Sequence, residues 1–530
     1  MSGPAGSALQ GAVLAAPLDA VVPVWRSFSS DTETPVSAYL KLRRGGTGFL
    51  LESGEQDGRL GRFSFVGSSP DALLRGDLDR GTVTMEAGVT AYRGSPLDAV
   101  RGLAGEVGVW RGGGPLGPSR LSLHSWGVGA EGLPGFLGGL VGAFGYDLSR
   151  TLERLPTGLP DDTGFPAALF ARYQTVLAFD HAQQRMTAVS LLPAAADVGS
   201  RLEDLRRAEG RIEGVLDALR RGRAPAAVEP GGGGAASGAR ASGSDVGTAG
   251  LGSPGWVPDH ETFLASVAEA VRQIRAGEAI QVVLSRRLEL GFHGDPFDLY
   301  RALRSVSPAP YMFFLEFPEV ALAGSSPEML VRVEGDAAQV SPIAGTRRRG
   351  VDPEEDAQME AELRADAKER AEHVMLVDLG RNDLGRVCRP GSVHVPRLME
   401  VERFSHVMHL VSVVTGRLRE DVDALDAFAA CFPAGTVAGA PKIRAMELIE
   451  ELETVRRGAY GGAVAHIAPG AAALDACITI RTMVIRRGRV LVQVGAGVVN
   501  ASKPERELAE TEEKAEALLA ALELTGVVTS

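Results

Sequence analysis

Cysteine is nearly missing from this chain of 530 residues: only Cys388, Cys431 and Cys477 occur. So few, in an odd number, exclude a disulfide framework and fit a reducing compartment, so a cytoplasmic location is expected. None stands in a C-x-x-C pair, which argues against a zinc ribbon. Aromatics are sparse, at 5%. Basic residues are in deficit, 55 against 67 acidic ones, for a net charge of −12. Nucleic acid and anionic membrane surfaces both require clustered positive charge, so neither is an expected partner. No uninterrupted apolar run is long enough for a membrane-spanning helix. No basic residue precedes Arg26, and prolines and Asp19 interrupt the first apolar stretch. A secretory signal is therefore not expected, and residues 1–24 read as a disordered leader.

Glycine, by contrast, is plentiful, with 66 residues. Many fall in 222–257, a Gly/Ala/Ser/Pro stretch that buries too little apolar surface to order itself and so reads as a linker. It divides an N-terminal region, 25–221, from a C-terminal region, 258–524. Hydrophobic residues, at 45%, are ample for large cores, and the length allows two to four domains.

The N-terminal region reads as strands at 48–53, 62–67 and 82–86, with a helix near 199–220 before the linker. In the C-terminal region helical periodicity marks 260–276, 354–380, 422–430, 441–451 and 504–522. Strands are predicted at 280–290, 311–317, 319–323, 329–333, 338–342, 460–467, 474–485 and 490–495. Several follow one another at hairpin spacing, as across Arg487-Gly488. The predicted class is α+β, with layered antiparallel or mixed sheets flanked by helices, rather than a doubly wound parallel sheet.

Two helices carry glutamates at i, i+3, which places each pair on one face. The first pair is Glu369 and Glu372. The second, Glu507 and Glu510, follows Ser502 as N-cap and Pro504 in the first turn. Brought together, such faces would suit Mg²⁺, which takes one or two carboxylates and keeps water or substrate oxygens elsewhere. On spacing alone, solvated helix surface is the simpler account. His406 and His409 form H-x-x-H amid apolar neighbours, where a hydrogen-bonded core histidine is the simpler reading. Gly495-Ala-Gly497 follows a strand but lacks dinucleotide spacing, which leaves a tight turn or a close backbone approach to a ligand.

These segments together resemble the chorismate-utilising enzymes, and within them most closely the synthase subunits of anthranilate synthase. The matching blocks include Ala279-Ile-Gln-Val-Val-Leu-Ser285, Ser326-Pro-Glu-Met-Leu330 and Pro342-Ile-Ala-Gly-Thr346. Further along are Glu372-His-Val-Met-Leu-Val-Asp378, Phe432-Pro-Ala-Gly-Thr436, Gly458-Ala-Tyr460 and Gly495-Ala-Gly497. Leu50-Leu-Glu-Ser53 and Gly138-Gly-Leu-Val-Gly142 carry the likeness into the N-terminal region, expected to be an interleaved regulatory part.

The resemblance implies amination of chorismate at C2, loss of the C4 hydroxyl, then elimination of pyruvate to give anthranilate, the first committed step of tryptophan biosynthesis. It assigns Glu328 as general acid, which calls for a carboxyl pKa raised by burial. Catalytic positions also fall on His409, associated with pyruvate loss, on Gln281 and on Thr436. Arg481 and Lys514 match carboxylate-binding positions, and Tyr460 a hydrogen-bonding one. Gly345, Thr346, Gly495, Ala496 and Gly497 match substrate contacts. Glu369, Glu372, Glu507 and Glu510 match the Mg²⁺ ligands.

Two positions discriminate within the family. Water-using relatives carry Lys where Gln281 stands, and aminodeoxychorismate synthases usually carry Lys where Ala344 stands. Both absences point to direct amination at C2; the alternatives are enzymes that stop at aminodeoxyisochorismate or make aminodeoxychorismate. Acidic residues at 512 and 513 depart from the usual pattern beside Lys514 and are expected to face solvent. Ser53, Pro310, Tyr311 and Met312 match the tryptophan feedback site. No cysteine stands in the Gly-x-Cys-x-Gly turn of a glutamine amidotransferase. The resemblance therefore implies a separate glutaminase subunit supplying ammonia, in a heterotetramer.

Overall fold

The computed structural model describes residues 4–43, 46–54, 61–105, 127–128, 133–222, 255–403, 407–526 and 528–529. The linker expected at 222–257 lies almost wholly outside them, as does His406.

The strands Gly139–Phe144 and Val320–Ser326 are buried at every position. Strands without a polar side must be covered on both faces. The chain does this with two antiparallel sheets packed face to face, one of fourteen strands and one of twelve, and with helices over each outer face. The layer between the sheets holds Phe49, Phe136, Val141, Tyr173, Phe313, Leu322 and Val464. Over the larger sheet, helices Pro35–Leu42, Val198–Arg221, Pro296–Val306 and Pro504–Thr525 bury Tyr39, Ile212, Tyr300 and Leu518. Over the smaller sheet, helices Pro96–Ala104, Ala367–Gly385 and Ala424–Cys431 bury Val100, Leu384 and Phe428. Phe313 and Phe314, adjacent on one strand, point to opposite faces and into different cores.

Both halves of the sequence contribute to both sheets. Tyr311–Phe317 pairs with Gly48–Glu52, and Ala463–Ile467 pairs with Gly139–Phe144. The α+β class and the interleaving follow the expectation.

Four sequence expectations need correction. Residues 4–14 are not a disordered leader but a helix, whose Leu9 and Val13 are buried against the core around Ile212. Arg201 holds the following turn by donating to the carbonyls of Pro17, Leu18 and Ala20. The helix expected over 354–380 is two helices, Pro353–Ala365 and Ala367–Gly385. Asp366 separates them, because its carboxylate accepts from the amides of Lys368 and Glu369 and starts the second helix. Ser502 does not cap its helix; its hydroxyl accepts from Val499 and bonds Glu507 instead. The strand expected over 474–485 is broken into Ala473–Ile478 and Thr482–Arg486, which lie in different sheets.

Candidate active site

That broken strand helps to place the site. The chain passes between the sheets at 479–481, and again at Pro327 and Glu328, between Val320–Ser326 and Met329–Glu334. The two crossings are bonded to each other. Ile478 donates its N–H to the Glu328 carbonyl, and Ser325 donates to the Arg481 carbonyl, both at 3.1 Å. Arg481 has a φ of +50°, which a non-glycine residue adopts only when its surroundings hold it there. Two charged side chains are thus fixed where the sheets exchange strands.

Glu328 has its pKa pushed up to about 8. Burial is the main cause, opposed by a hydrogen bond from Thr436 and by the charge of Lys514. Thr436 Oγ1 donates to Glu328 Oε1 at 2.9 Å from the four-residue helix Gly435–Ala438. A carboxyl so placed holds its proton at neutral pH and can give it up.

One cation, Lys514, faces this acid. Lys514 donates to the Gly495 carbonyl and pairs with Glu510, each at 2.8 Å. Arg481 is half-buried, and burial lowers its pKa against the partial relief given by Tyr460. Among the described residues no carboxylate pairs with it. Tyr460 is buried and its pKa is pushed up to about 12, so it remains a phenol and a donor. Gly495-Ala-Gly497 is not a turn. It lies inside the strand Arg489–Val499, opposite Ser285, Leu284 and Val283. A Cβ at Gly495 would stand 2.5 Å from Tyr460 Oη, and one at Gly497 2.6 Å from Gln281 Nε2. Glycine is needed at Gly495, where the Leu284 carbonyl also stands 2.9 Å away, whereas at Gly497 only the end of the Gln281 side chain is close.

Gln281 opens the strand Gln281–Phe292 and is buried. Its side chain donates to Glu372. Its Oε1 is buried with no hydrogen-bond partner among the described residues. His409 lies on Val407–Arg417, where Nδ1 donates to the Gly345 carbonyl at 2.8 Å. Thr346 Oγ1 is 3.2 Å from the same nitrogen. Gly345, with a φ of +67°, is the extra residue of a bulge between Ala344 and Thr346, which turns its carbonyl to the histidine. Burial lowers the His409 pKa, so the ring is neutral with its proton on Nδ1 and its lone pair on Nε2.

The four glutamates approach one another from two helices. Glu372 is pushed up by burial, then by Glu369, with Glu510 adding to the effect. Glu507 is pushed up by burial and by Glu510, although Ser502 bonds it. Glu507 Oε2 is buried with no hydrogen-bond partner among the described residues. Among the described residues no three His, Cys, Asp or Glu side chains converge at ligating distance. The crowding of Glu372 and Glu507 by neighbouring carboxylates and the buried Oε2 of Glu507 are compatible with a hard divalent cation. Of the doubtful neighbours, Glu513 pairs outward with Arg506, and Glu512 lies 3.5 Å from His260.

Ser53, Pro310, Tyr311 and Met312 line a separate, solvent-open cavity of about 100 Å³ with a largely apolar and aromatic wall. The Tyr311 hydroxyl donates to Asp475 at 3.1 Å, and Arg332 pairs with the same carboxylate at 2.6 Å. Tyr311 is the register partner of Ser326, two residues before Glu328.

Sequence reasoning missed Arg332 and Asp475, distant in sequence and joined only by strand pairing. It also missed Glu453 and Arg457, a buried i, i+4 pair ending just before Tyr460.

No helix among the described residues is long and apolar enough to cross a membrane. The profile of a family described as chorismate binding enzyme matches residues 121–520. Anthranilate synthase component 1 of Thermus thermophilus is 43% identical, covering 96% of this chain and 99% of the relative. That of Streptomyces coelicolor is 44% identical, covering 95% and 89%. The crystal structure of anthranilate synthase component I from Streptococcus pneumoniae superposes with a TM-score of 0.68 at 32% identity, covering 92% and 98%. The isochorismate synthase MenF of Escherichia coli, at 19% identity and a TM-score of 0.64 over 97% and 99%, shares the fold. The match over most of the chain and the near full-length identity place this protein among the chorismate-binding enzymes.

Proposed function

We propose that this chain is the synthase component of an anthranilate synthase, converting chorismate and ammonia to anthranilate, pyruvate and water. The observation that carries the reading is Glu328, a carboxyl that keeps its proton at neutral pH and faces Lys514. Hydroxide is a poor leaving group, so the C4 hydroxyl departs as water only if an acid protonates it. As ammonia bonds to C2, the ring double bonds shift and the C4–O bond breaks with the proton of Glu328. Gln281 has no basic nitrogen to activate water, and its orphaned Oε1 is an acceptor suited to an N–H of ammonia. Pyruvate loss then requires removal of the C2 proton and cleavage of the enolpyruvyl C3–O bond. His409, neutral with a lone pair on Nε2, is suited to take that proton.

Arg481 and Lys514 bind the substrate carboxylates, Tyr460 donates a hydrogen bond, and the strand 495–497 with Gly345 and Thr346 supplies backbone contacts. Glu369, Glu372, Glu507 and Glu510 would hold Mg²⁺, whose charge offsets a substrate carboxylate among these acidic residues. Tryptophan is the inhibitor assigned to the second cavity, whose wall joins Glu328 through Tyr311 and Ser326. A name ending in component 1 supports a partner component. We assign it as a glutaminase that delivers ammonia to this chain in a cytoplasmic heterotetramer.

The test is product analysis. Purified chain with Mg²⁺, chorismate and ammonium should yield fluorescent anthranilate and an equal amount of pyruvate. Accumulation of the aminated intermediate, or formation of isochorismate, would overturn the assignment.

A further inference from the structure

We infer that the buried Glu453–Arg457 ion pair is a positioning unit that holds Thr436 against Glu328 and Tyr460 against the strand 495–497; this rests on the synthase reading above. The two side chains are only 4% and 1% exposed. Arg457 donates to Glu453 at 2.6–3.1 Å, to the Val437 carbonyl at 2.7 Å and to the Val283 carbonyl at 2.6 Å. Glu453 Oε1 also accepts from the amide and the hydroxyl of Ser285, both at 2.8 Å, and Gln493 donates to that hydroxyl at 2.9 Å. The guanidinium lies over the rings of Tyr146 and Tyr460, 4.7 and 5.6 Å from their centroids.

Each contact fixes a neighbour of the site. Val437 follows Thr436 in a helix of four residues whose N-terminus has no side-chain cap. So short a helix does not hold its own shape, and its anchor is the carbonyl bonded to Arg457. Val283 and Ser285 are the register partners of Gly497 and Gly495. Tyr460 donates its amide to the Arg457 carbonyl. Stability alone does not account for such a pair. Taking two charges out of water costs about as much as their attraction returns, so well-packed apolar residues would serve as well. What apolar residues lack is a planar fork that reaches three separate backbone and side-chain acceptors at once.

The experiment is Arg457→Lys, which keeps the charge but loses the fork, assayed with chorismate and ammonium beside wild type. If the pair positions the acid, kcat falls roughly tenfold to a hundredfold, and KM moves less than kcat. The alkaline limb of kcat shifts to higher pH, because Thr436 withdraws from Glu328 and Lys514 is left as the other group facing it. Thr436→Val shifts the limb the same way, and in the double variant the two losses are less than additive, because part of the Arg457 effect runs through Thr436. Wild-type kcat and pH limb in Arg457→Lys, or full additivity in the double variant, overturns the inference. Glu453→Gln, which keeps the acceptors' shape, gives the same readouts if Arg457→Lys does not fold. If neither folds, the pair is a structural staple and the inference fails. A wild-type chain that makes no anthranilate overturns the synthase reading instead.

Discussion

Ile478 donates its backbone N–H to the carbonyl of Glu328 at 3.1 Å, so the carrier of the proposed acid is bonded to a strand end three residues before Arg481. The acid and the candidate carboxylate-binding cation therefore move as one unit. Both sit on short crossings between sheets, whose backbone cannot rotate without breaking ladders on either side. Such placement on rigid elements is what preorganised proton transfer needs.

The first prediction concerns that acid. Catalysis needs Glu328 protonated, so kcat should fall as pH rises through about 8. Glu328→Gln should lower kcat by about 10²–10⁴-fold and remove this limb. Stability should follow the same sign. Because the folded pKa lies above the unfolded one, the contribution is complete below the unfolded value and lost as pH rises through about 8. The melting temperature of wild type should therefore fall more between pH 6 and pH 9 than that of Glu328→Gln. Equal falls would show that the carboxyl is not held protonated.

The second concerns the metal. Removing divalent ions with a chelator should abolish activity, and Mg²⁺ should restore it and raise the melting temperature through binding to the folded state. Burial and mutual repulsion hold the Glu372 and Glu507 pKa values above the usual range. Protons should therefore compete with the ion, and its affinity should weaken as pH falls. Glu510→Gln should weaken Mg²⁺ binding by roughly tenfold or more, read by titration calorimetry without substrate. No thermal response to Mg²⁺ would exclude the site.

Legibility in the sequence follows the range of the interactions. The i, i+3 glutamates were readable because helix periodicity alone puts Glu369 with Glu372 and Glu507 with Glu510 on one face. Tyr311–Phe317 matched its expected bounds because the turn residues before it and the hairpin after it are local. The break at 479–481 was not readable: Ile480 and Thr482 are good strand formers, and only sheet exchange decides that the chain must cross there. The helix at 4–14 was missed for a similar reason. Its burial depends on Ile212, some two hundred positions away in sequence. Family resemblance located Glu328, Arg481 and His409; composition and spacing did not.

The third prediction tests the second cavity. Tryptophan should inhibit, and Met312→Ala should raise the half-inhibitory concentration by about tenfold, the equivalent of ~1.4 kcal/mol of lost contact. That rise should exceed any fall in the uninhibited rate. Arg332→Met should also desensitise the enzyme, since it frees Asp475 and Tyr311 on the wall nearest Ser326. Saturable thermal stabilisation by tryptophan, lost in both variants, is the binding measurement. Inhibition unchanged in both would move the regulatory site elsewhere.

The fourth prediction separates glycines that serve the site from those that do not. In Gly495→Ala the new Cβ would stand 2.5 Å from Tyr460 Oη and 2.9 Å from the Leu284 carbonyl. The tyrosine can tilt away, but the carbonyl belongs to the paired strand and cannot, so the strand must shift. Overpacking of this kind costs ~1–3 kcal/mol, and it also displaces the carbonyl that anchors Lys514. The expected outcome is a lower melting temperature together with a fall in kcat/KM larger than the stability loss explains. Gly210→Ala is the control. Its Cβ would meet nothing within 4 Å on the long helix Val198–Arg221, and removing unfolded-chain freedom there should add ~0.4–1 kcal/mol. If both substitutions leave kcat/KM at the wild-type value, no side chain or ligand closes over the strand at Gly495, and the proposed substrate position is wrong.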